Sequence, residues 1–220
     1  MKLSHPQPRC GGMTRRAFAG GALLLLAAQR ALAAPASLPA ADQAELQQIE
    51  AYLNGIKTLK AKFQQTAADG AVSGGTVWLS RPGKMRLDYD PPAKLQLVAN
   101  DGLVAVNDLT VEQVQYISID ETAAWFLLRD KITLTGDVTV TRFERGPKTV
   151  RVTATQTKDS SIGSLTLLLT EDPLALRQWT VLDAQGKNVT VALTEVQDGI
   201  TLANSLFELP NKLDRSPRPH

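Results

Sequence analysis

The chain has 220 residues, of which 43% are hydrophobic and 21% are charged, and its formal net charge at pH 7 is +2. Its single cysteine, Cys10, and one of its two histidines, His5, lie near the N-terminus, and the other histidine, His220, is the last residue. This inventory excludes disulfides, thiolate zinc sites, cysteine nucleophiles and histidine-based triads from the body of the chain. We therefore expect a protein that is not an enzyme and uses neither a metal nor a cofactor.

Residues 1–34 have the pattern of a cleaved export signal. A basic start leads into the apolar run 17–28, which is too short to span a membrane as a mature helix, and a small-x-small cleavage pattern ends at Ala33. The pair Arg15 and Arg16 resembles a twin-arginine signal, with the general secretory route as the alternative. Met13, directly before this motif, is an alternative start. The sequence thus predicts an exported protein cleaved near Ala33.

The positive net charge belongs to this signal. Five of the 24 basic residues and none of the 22 acidic ones lie in residues 1–34, so the rest of the chain carries 19 basic against 22 acidic residues, a net charge of −3. A mildly acidic chain without a block of lysine and arginine gives no footprint for nucleic acid. The remaining length suits one domain, which we place at residues 42–220 after a Pro/Ala linker at residues 35–41.

The first predicted element is an amphipathic helix over residues 42–55. Asp42 has the character of an N-cap, with Glu45 at the capping-box spacing, and Gly55 stands where such a helix ends. Its apolar residues recur at helical spacing, at Leu46, Ile49, Leu53 and Ile56. We expect this stripe to pack against the remainder of the fold.

The rest of the chain is almost entirely strand-like. Pairs such as Asp101-Gly102, Gln185-Gly186 and Asp198-Gly199 separate short alternating runs, which is typical of hairpins. The absence of intervening helices predicts a mainly β fold, an antiparallel sheet of about ten strands curled into a barrel or a half-barrel. The predicted strands cover residues 60–66, 76–81, 84–90, 94–100, 103–107, 111–117, 132–140, 149–157, 164–170, 174–183 and 188–196.

One stretch, residues 120–130, departs from this alternation. It starts with Asp120 and Glu121, ends with Arg129, and is apolar around most of its circumference from Ala124 to Leu128. Acid at the start and base at the end are typical of a short helix. We expect this helix, over residues 120–128, and the first one to lie on the concave side of the sheet, either as a plug over an opening or as ordinary core helices.

Arg81 occupies an unusual place at the end of a predicted strand. Because side chains alternate along a strand, Val77, Leu79 and Arg81 share one face. If that face is interior, the guanidinium points inward and needs carboxylate or carbonyl partners. The alternative is a solvent-exposed strand end before the Pro82-Gly83 turn.

Taken together, these motifs resemble the LolA-type outer-membrane lipoprotein carriers. The motifs run along most of the chain: Leu53, Phe63-Gln64-Gln65, Gly75-x-x-Trp78-Leu79-x-Arg81-Pro82, Arg86-x-x-Tyr89, Asp101-Gly102, Trp125-Phe126-Leu127-Leu128, Leu176-Arg177-Gln178-Trp179 and Leu206-Phe207. The resemblance implies a half-barrel with helices forming a lid over an apolar cavity. It also implies a monomeric periplasmic chaperone that takes acylated lipoproteins from an inner-membrane ABC transporter to an outer-membrane lipoprotein receptor.

The resemblance further implies roles for individual residues. Lid closure is expected from Arg81, bonded to lid backbone near Leu127 and Leu128, together with Leu53, Leu127 and Leu128 themselves. The candidates for the acyl-chain cavity, with plain core packing as the alternative, are Val77, Leu79, Met85, Leu87, Tyr89, Leu95, Leu97, Trp125 and Phe126.

Two other functions remain open at this level. One is a periplasmic sensor of the same fold that binds lipid or lipoprotein and reports to a membrane partner. The other is a carboxylate-based hydrolase, which would need a separated pair of acids in a polar cleft. Asp88 and Asp90 share a strand face but lack an adjacent base, so we interpret them as a solvated edge.

Overall fold

The computed structural model describes residues 39–122 and 124–210. The predicted export signal at residues 1–34 lies outside the described residues, as does most of the predicted linker. Within the described ranges, no helix is both long enough and apolar enough to cross a bilayer.

A single antiparallel sheet of eleven strands makes up most of the described chain, and it is curved and unclosed. The spatial order is β6-β5-β4-β3-β2-β1-β11-β10-β9-β8-β7, so β1 joins the last strand to the first hairpins and β6 and β7 are the two free edges. The strands are β1 (Thr58–Thr66), β2 (Val72–Ser80), β3 (Lys84–Tyr89), β4 (Leu95–Asn100), β5 (Leu103–Asp108), β6 (Gln113–Ser118), β7 (Val138–Gly146), β8 (Thr149–Gln156), β9 (Gly163–Glu171), β10 (Leu174–Asp183) and β11 (Asn188–Asp198).

The alternation in the sequence fixes which face of this sheet is apolar. Cross-strand pairing places Ala61 opposite Val77, Val77 opposite Leu87, and Leu87 opposite Leu97. This row continues to Val106 on β5. A one-residue slip would turn the whole row outward, so burial of the concave face sets the register.

Helix α1 (Ala40–Gly55) lies against the concave face. Leu46, Ile49 and Leu53 are its buried residues, and they belong to the same core cluster as the inward residues of the strands. The helix ends at Gly55 as predicted, but it begins two residues before Asp42. The capping-box prediction is wrong: the N-cap is Pro39, with no side-chain cap bond, and the Asp42 carboxylate pairs with Arg145 on β7 at 2.5 Å instead.

The predicted helix over residues 120–128 is divided in two. A 3₁₀ turn, Ile119–Glu121, precedes the short helix α2 (Ala124–Leu128), and Thr122 between them is extended. The Thr122 side chain donates to the carbonyl of Ile119, which ends the first turn. We call α1 with its C-cap residue Ile56, together with residues 119–122 and 124–129, the lid.

The predicted strand over residues 132–140 begins only at Val138. Residues 132–137 are irregular, although Ile132 and Leu134 are buried in the core as their alternation suggested. Gly136 has a positive φ of 75°, which a regular strand does not accommodate. The alternation therefore predicts correctly that Ile132 and Leu134 are buried, and predicts wrongly that residues 132–137 belong to a strand.

The C-terminal segment crosses the convex face of the sheet. It contains the 3₁₀ turn Asn204–Phe207, in which Phe207 is 1% exposed. Arg86 donates to the carbonyl of Leu206 at 3.1 Å, and Lys84 donates to the side chain of Asn204 at 3.0 Å. Phe207 therefore covers the convex side while the lid covers the concave one.

Candidate functional site: an apolar cavity and its closure

Beneath the lid lies an apolar cavity of about 260 Å³, which we call the central cavity. For comparison, a cavity of about 150 Å³ lined by aliphatic and aromatic residues stays dry and holds a benzene molecule. Its walls come from eight strands and the lid, namely Gln65, Met85, Leu87, Tyr89, Leu97, Val104, Val106, Ile117, Thr122, Leu127, Leu165, Trp179, Val181, Val189 and Val191. The wall is thus almost entirely apolar, with side-chain nitrogen or oxygen atoms only at Gln65, Tyr89, Thr122 and Trp179.

A smaller cavity of about 30 Å³, which we call the helix-end cavity, lies beside it under the last turn of α1. Met85, Leu127 and Trp179 line both spaces and so form the partition between them. The remaining wall of the helix-end cavity is Leu53, Ile56, Leu59, Val77, Leu79, Arg81, Ile132, Leu176 and Leu193. Leu127 is the member of this partition that comes from the lid, because Met85 lies on β3 and Trp179 on β10.

Arg81 stands in the wall of the helix-end cavity and points inward. It is 8% exposed and is the one buried polar or charged residue among those that the structure describes. Its Nε donates to the carbonyl of Ile56 at 2.8 Å, and its Nη2 donates to the carbonyls of Leu53 and of Ile56. Its Nη1 lies 3.5 Å from the carbonyl of Arg129, just after α2. The guanidinium therefore joins both parts of the lid to the end of β2.

The partners of Arg81 differ from the expected ones. The main acceptors belong to the end of α1, and the carbonyl of Leu128 accepts instead from the backbone N–H of Gly83, at 2.8 Å. The last carbonyls of a helix have no partner within it and carry partial negative charge, and α1 has no basic residue in its last turn. Arg81 supplies that missing charge from the turn that follows β2.

Burial lowers the pKa of the Arg81 guanidinium, and the carboxylate of Asp130 opposes that shift. Arginine keeps its proton in proteins despite such shifts, so the group remains a cation with five donors. A buried cation is tolerated only when its donors are occupied. The carbonyls of Leu53 and Ile56 therefore stabilise the buried position of the Arg81 guanidinium.

Asn54 fastens the same end of α1 to the segment after α2. Its side-chain amide donates to the carbonyl of Ile132 at 2.8 Å and accepts from the N–H of Ile132 at 2.9 Å. One turn earlier, Glu50 accepts from the N–H of Leu134 at 2.9 Å. Sequence reasoning missed both residues, because an asparagine before Gly55 is ordinary at the end of a helix and nothing marks its distant partner.

The middle and the start of α1 are also attached to the sheet. The Tyr52 hydroxyl accepts from the N–H of Leu176 at 2.9 Å, next to an irregularity in the pairing of β10 with β9. At the exposed start of the helix, Arg145 donates to both Asp42 and Glu45. The helix is therefore held along its whole length.

The predicted site residues are divided among these spaces. Val77, Leu79, Leu53 and Arg81 line the helix-end cavity, Leu87, Tyr89 and Leu97 line the central cavity, and Met85 and Leu127 line both. Leu128 is buried in the core under the lid. Leu95 lies in neither lining, and Trp125 and Phe126 line a separate pocket of about 20 Å³ beside β8 and β9.

No arrangement suited to metal binding is found in residues 39–122 and 124–210, where no three His, Cys, Asp or Glu side chains gather. Asp88 and Asp90 do not face each other across a cleft: Asp88 pairs with Arg86 at 2.8 Å and Asp90 lies 3.9 Å from Lys62. The described residues form an apolar space with a buried, hydrogen-bonded arginine beside it.

The family model for the outer membrane lipoprotein carrier protein LolA matches residues 54–210. An outer-membrane lipoprotein carrier protein of Methylococcus capsulatus is 38% identical over 82 residues, or 34% of this chain and 39% of that protein. The protein of the same name from Pseudomonas aeruginosa is 28% identical over 196 residues, or 84% of this chain and 93% of that one. A solved LolA superfamily protein of Nitrosomonas europaea covers 74% of this chain and 97% of its own, with 13% identity and a TM-score of 0.41.

Proposed function

Since this chain belongs to the family of outer membrane lipoprotein carrier proteins, LolA, we propose that it binds the acyl chains of lipoproteins and carries them through the periplasm. The observation that carries this proposal is the central cavity of about 260 Å³, which is apolar and is covered by a lid that polar contacts hold in place. A binding protein with a closable apolar space needs no catalytic residues.

The energetics of acyl chains support a carrier of this kind. Each methylene group that leaves water contributes about 0.8 kcal/mol, so a lipoprotein with several long chains cannot cross water unaided. An empty carrier has the converse problem, because the apolar wall of an open cavity is exposed to water and invites aggregation. A lid that closes over the empty cavity and opens for cargo meets both needs.

Arg81 is proposed to hold the lid closed, with Leu53, Leu127 and Leu128 providing the apolar contacts of the closed state. Its bonds reach carbonyls of α1 and of the residue after α2. They can form only while these segments lie against the end of β2. Acyl chains that bury a comparable apolar area then compete with the closed state. A small difference in free energy between the empty, closed state and the loaded, open state sets loading and release.

The partners and location follow from this proposal. Acylated lipoproteins are the cargo, an inner-membrane ABC transporter supplies them, and an outer-membrane receptor accepts them. The export signal predicted at residues 1–34 would bring the chain to the periplasm. The names of the family and of its curated members support a lipoprotein as the cargo.

The proposal is tested with an apolar fluorescent probe and purified protein. We expect the probe to bind, and an acylated lipoprotein to displace it while the same lipoprotein without acyl chains does not. Leu87→Asp and Leu97→Asp should weaken probe binding beyond any loss of stability, because a bare carboxylate is strongly disfavoured in apolar surroundings. Leu103→Asp, at a leucine that is 38% exposed, is the matched control. Failure of acylated lipoprotein to displace the probe would contradict the proposal.

A further inference from the structure

One polar pair interrupts the apolar wall of the central cavity. The Tyr89 hydroxyl, on β3, donates to the side-chain oxygen of Gln65, on β1, at 2.7 Å. The other lining groups with polar atoms are Trp179 and Thr122, and the Thr122 hydroxyl already donates to the backbone of Ile119. Polar side chains in an apolar wall lose hydration, so this pair needs a physical reason.

The fold holds this pair in a fixed position. Tyr89 and Phe63 lie on either side of Gly75 in β2. The rings of Phe63 and Tyr89 meet edge to face, with centroids 5.1 Å apart and an interplanar angle of 81°. A Cβ at Gly75 would lie 2.7 Å from the Phe63 ring, so the missing side chain is what lets the two rings meet. The phenol is therefore positioned before any ligand arrives.

The pair keeps one hydrogen-bond donor free. With the Tyr89 hydroxyl donating to Gln65, the side-chain amide nitrogen of Gln65 has no hydrogen-bond partner within residues 39–122 and 124–210. If the amide is turned over, its nitrogen donates to Tyr89 and the phenolic hydrogen becomes the free donor. Burial raises the pKa of Tyr89, which keeps the phenol protonated and able to donate.

The pair makes one end of the central cavity polar, and this end lies away from Arg81. Tyr89 is the last residue of β3, whereas Arg81 precedes the first residue, Lys84, on the far side of a turn. At about 3.3 Å per residue, the pair lies about 16 Å along the strand from the Arg81 end. The space between them is lined by aliphatic side chains such as Leu87 and Leu97.

We propose that Gln65 and Tyr89 form a subsite for a neutral acyl carbonyl, the ester or amide group that every lipoprotein acyl chain carries where it joins the protein. This inference rests on the function proposed above and adds an orientation: the carbonyl binds at the pair and the hydrocarbon extends toward Arg81. A free carboxylate fits the subsite poorly, because no cationic side chain lines the central cavity as described.

The test compares ligands that differ only at the carbonyl. Methyl decanoate, methyl decyl ether and the decanoate anion are titrated against the bound fluorescent probe, with wild-type protein and with the double variant Gln65→Leu/Tyr89→Phe. Removing both partners leaves no unpaired group, so we expect the variant to fold. The ratio of dissociation constants between variant and wild type cancels the different solubilities of the ligands. It should be about three- to tenfold for the ester and about one for the ether.

Gln64→Leu, one residue from Gln65 and on the exposed face of β1, is the matched control. Its dissociation constants for the ester and for the ether should equal those of the wild type. Equal ratios for ester and ether would overturn the subsite while leaving the carrier function intact. Tighter binding of decanoate than of its methyl ester would also overturn it, in favour of free fatty acid. If the probe itself fails to bind, the proposed function and this subsite fail together.

Discussion

Arg81 and Asn54 fasten the last turn of α1 from two directions, one from the end of β2 and the other toward the segment after α2. Both bond to backbone C=O or N–H groups that have no partner within a helix or a strand. They differ in chemistry, because Arg81 is a buried cation and Asn54 is a neutral amide that makes a two-way bond with Ile132. Each is therefore expected to contribute to the stability of the closed protein by a separate route.

Asn54→Leu should lower the free energy of unfolding by about 2 kcal/mol. The substitution leaves both the N–H and the C=O of Ile132 without their partner, and each unsatisfied buried group costs about 1–3 kcal/mol. Urea denaturation followed by circular dichroism measures the change. Gln47→Leu, on the exposed face of the same helix, is the control and should leave the value nearly unchanged. A loss in Asn54→Leu no larger than in the control would contradict this reading of Asn54.

From the raised pKa of Tyr89 we predict that the protein loses stability at alkaline pH. Burial raises the pKa of Tyr89 in the folded state, so the unfolded chain loses the phenolic proton first as the pH rises. The contribution of Tyr89 to stability is therefore fully present below about pH 10 and is lost as the pH rises through the folded-state pKa. Between about pH 8 and about pH 11, the free energy of unfolding should fall more for wild type than for Tyr89→Phe. An equal fall in the two proteins would contradict the assignment.

At the scale of the elements, β2 is the strand on which the site depends most. It carries Val77 and Leu79 into the helix-end cavity and leads into Arg81, and its glycines leave room for Phe63. The two glycines differ sharply in what a Cβ would meet. At Gly75 it would lie 2.1 Å from the carbonyl oxygen of Asp88, whereas at Gly74 its nearest neighbour is the Phe63 carbonyl oxygen at 3.3 Å.

Gly75→Ala should therefore destabilise the protein by about 2–3 kcal/mol, the upper part of the range of about 1–3 kcal/mol for overpacking in a well-packed core. Gly74→Ala is a control from the same strand, and its effect should stay within about 1 kcal/mol, because alanine also restricts the unfolded chain. Urea denaturation of both variants gives the comparison. Equal losses would show that the contact with Phe63 and β3 does not constrain β2.

The elements also show what the sequence could and could not predict. Strict alternation located ten of the eleven strands to within a few residues, because one face of each is buried in the same core. It placed residues 132–137 in a strand wrongly, since Ile132 and Leu134 alternate but are held by side chains of α1 rather than by a neighbouring strand. The capping prediction failed because Arg145, about 100 residues away, takes the carboxylate of Asp42.

The same limit applies to the site. Alternation alone placed Arg81 on the face of Val77 and Leu79, and the structure shows that face to be interior. Its acceptors at Leu53 and Ile56 depend on how α1 crosses the sheet, which no local pattern contains. The pair Gln65 and Tyr89 comes together only through the register of β1, β2 and β3.

At the scale of the whole molecule, the sheet is open at β6 and β7, and its concave side is filled by the lid instead of by further strands. Closure by a lid can be reversed without breaking the pairing of any strand. An opening motion has to release the contacts of α1, and those at its last turn lie closest to the cavities. We therefore propose that the contacts at this end of α1, where Arg81 is bound, control opening.

Loading and release of an acylated lipoprotein, measured separately for wild type and Arg81→Leu, test this account most directly. Removing bonds made only in the closed state should leave loading intact and slow release, with at least a tenfold gain in apparent affinity, because charged hydrogen bonds contribute about 1.5–3 kcal/mol each. Arg81→Lys should be intermediate, since an ammonium cannot reproduce the planar fork, and Arg151→Leu, an exposed arginine on β8, should resemble wild type. Unchanged release in Arg81→Leu, or a loss of loading in its place, would contradict the account.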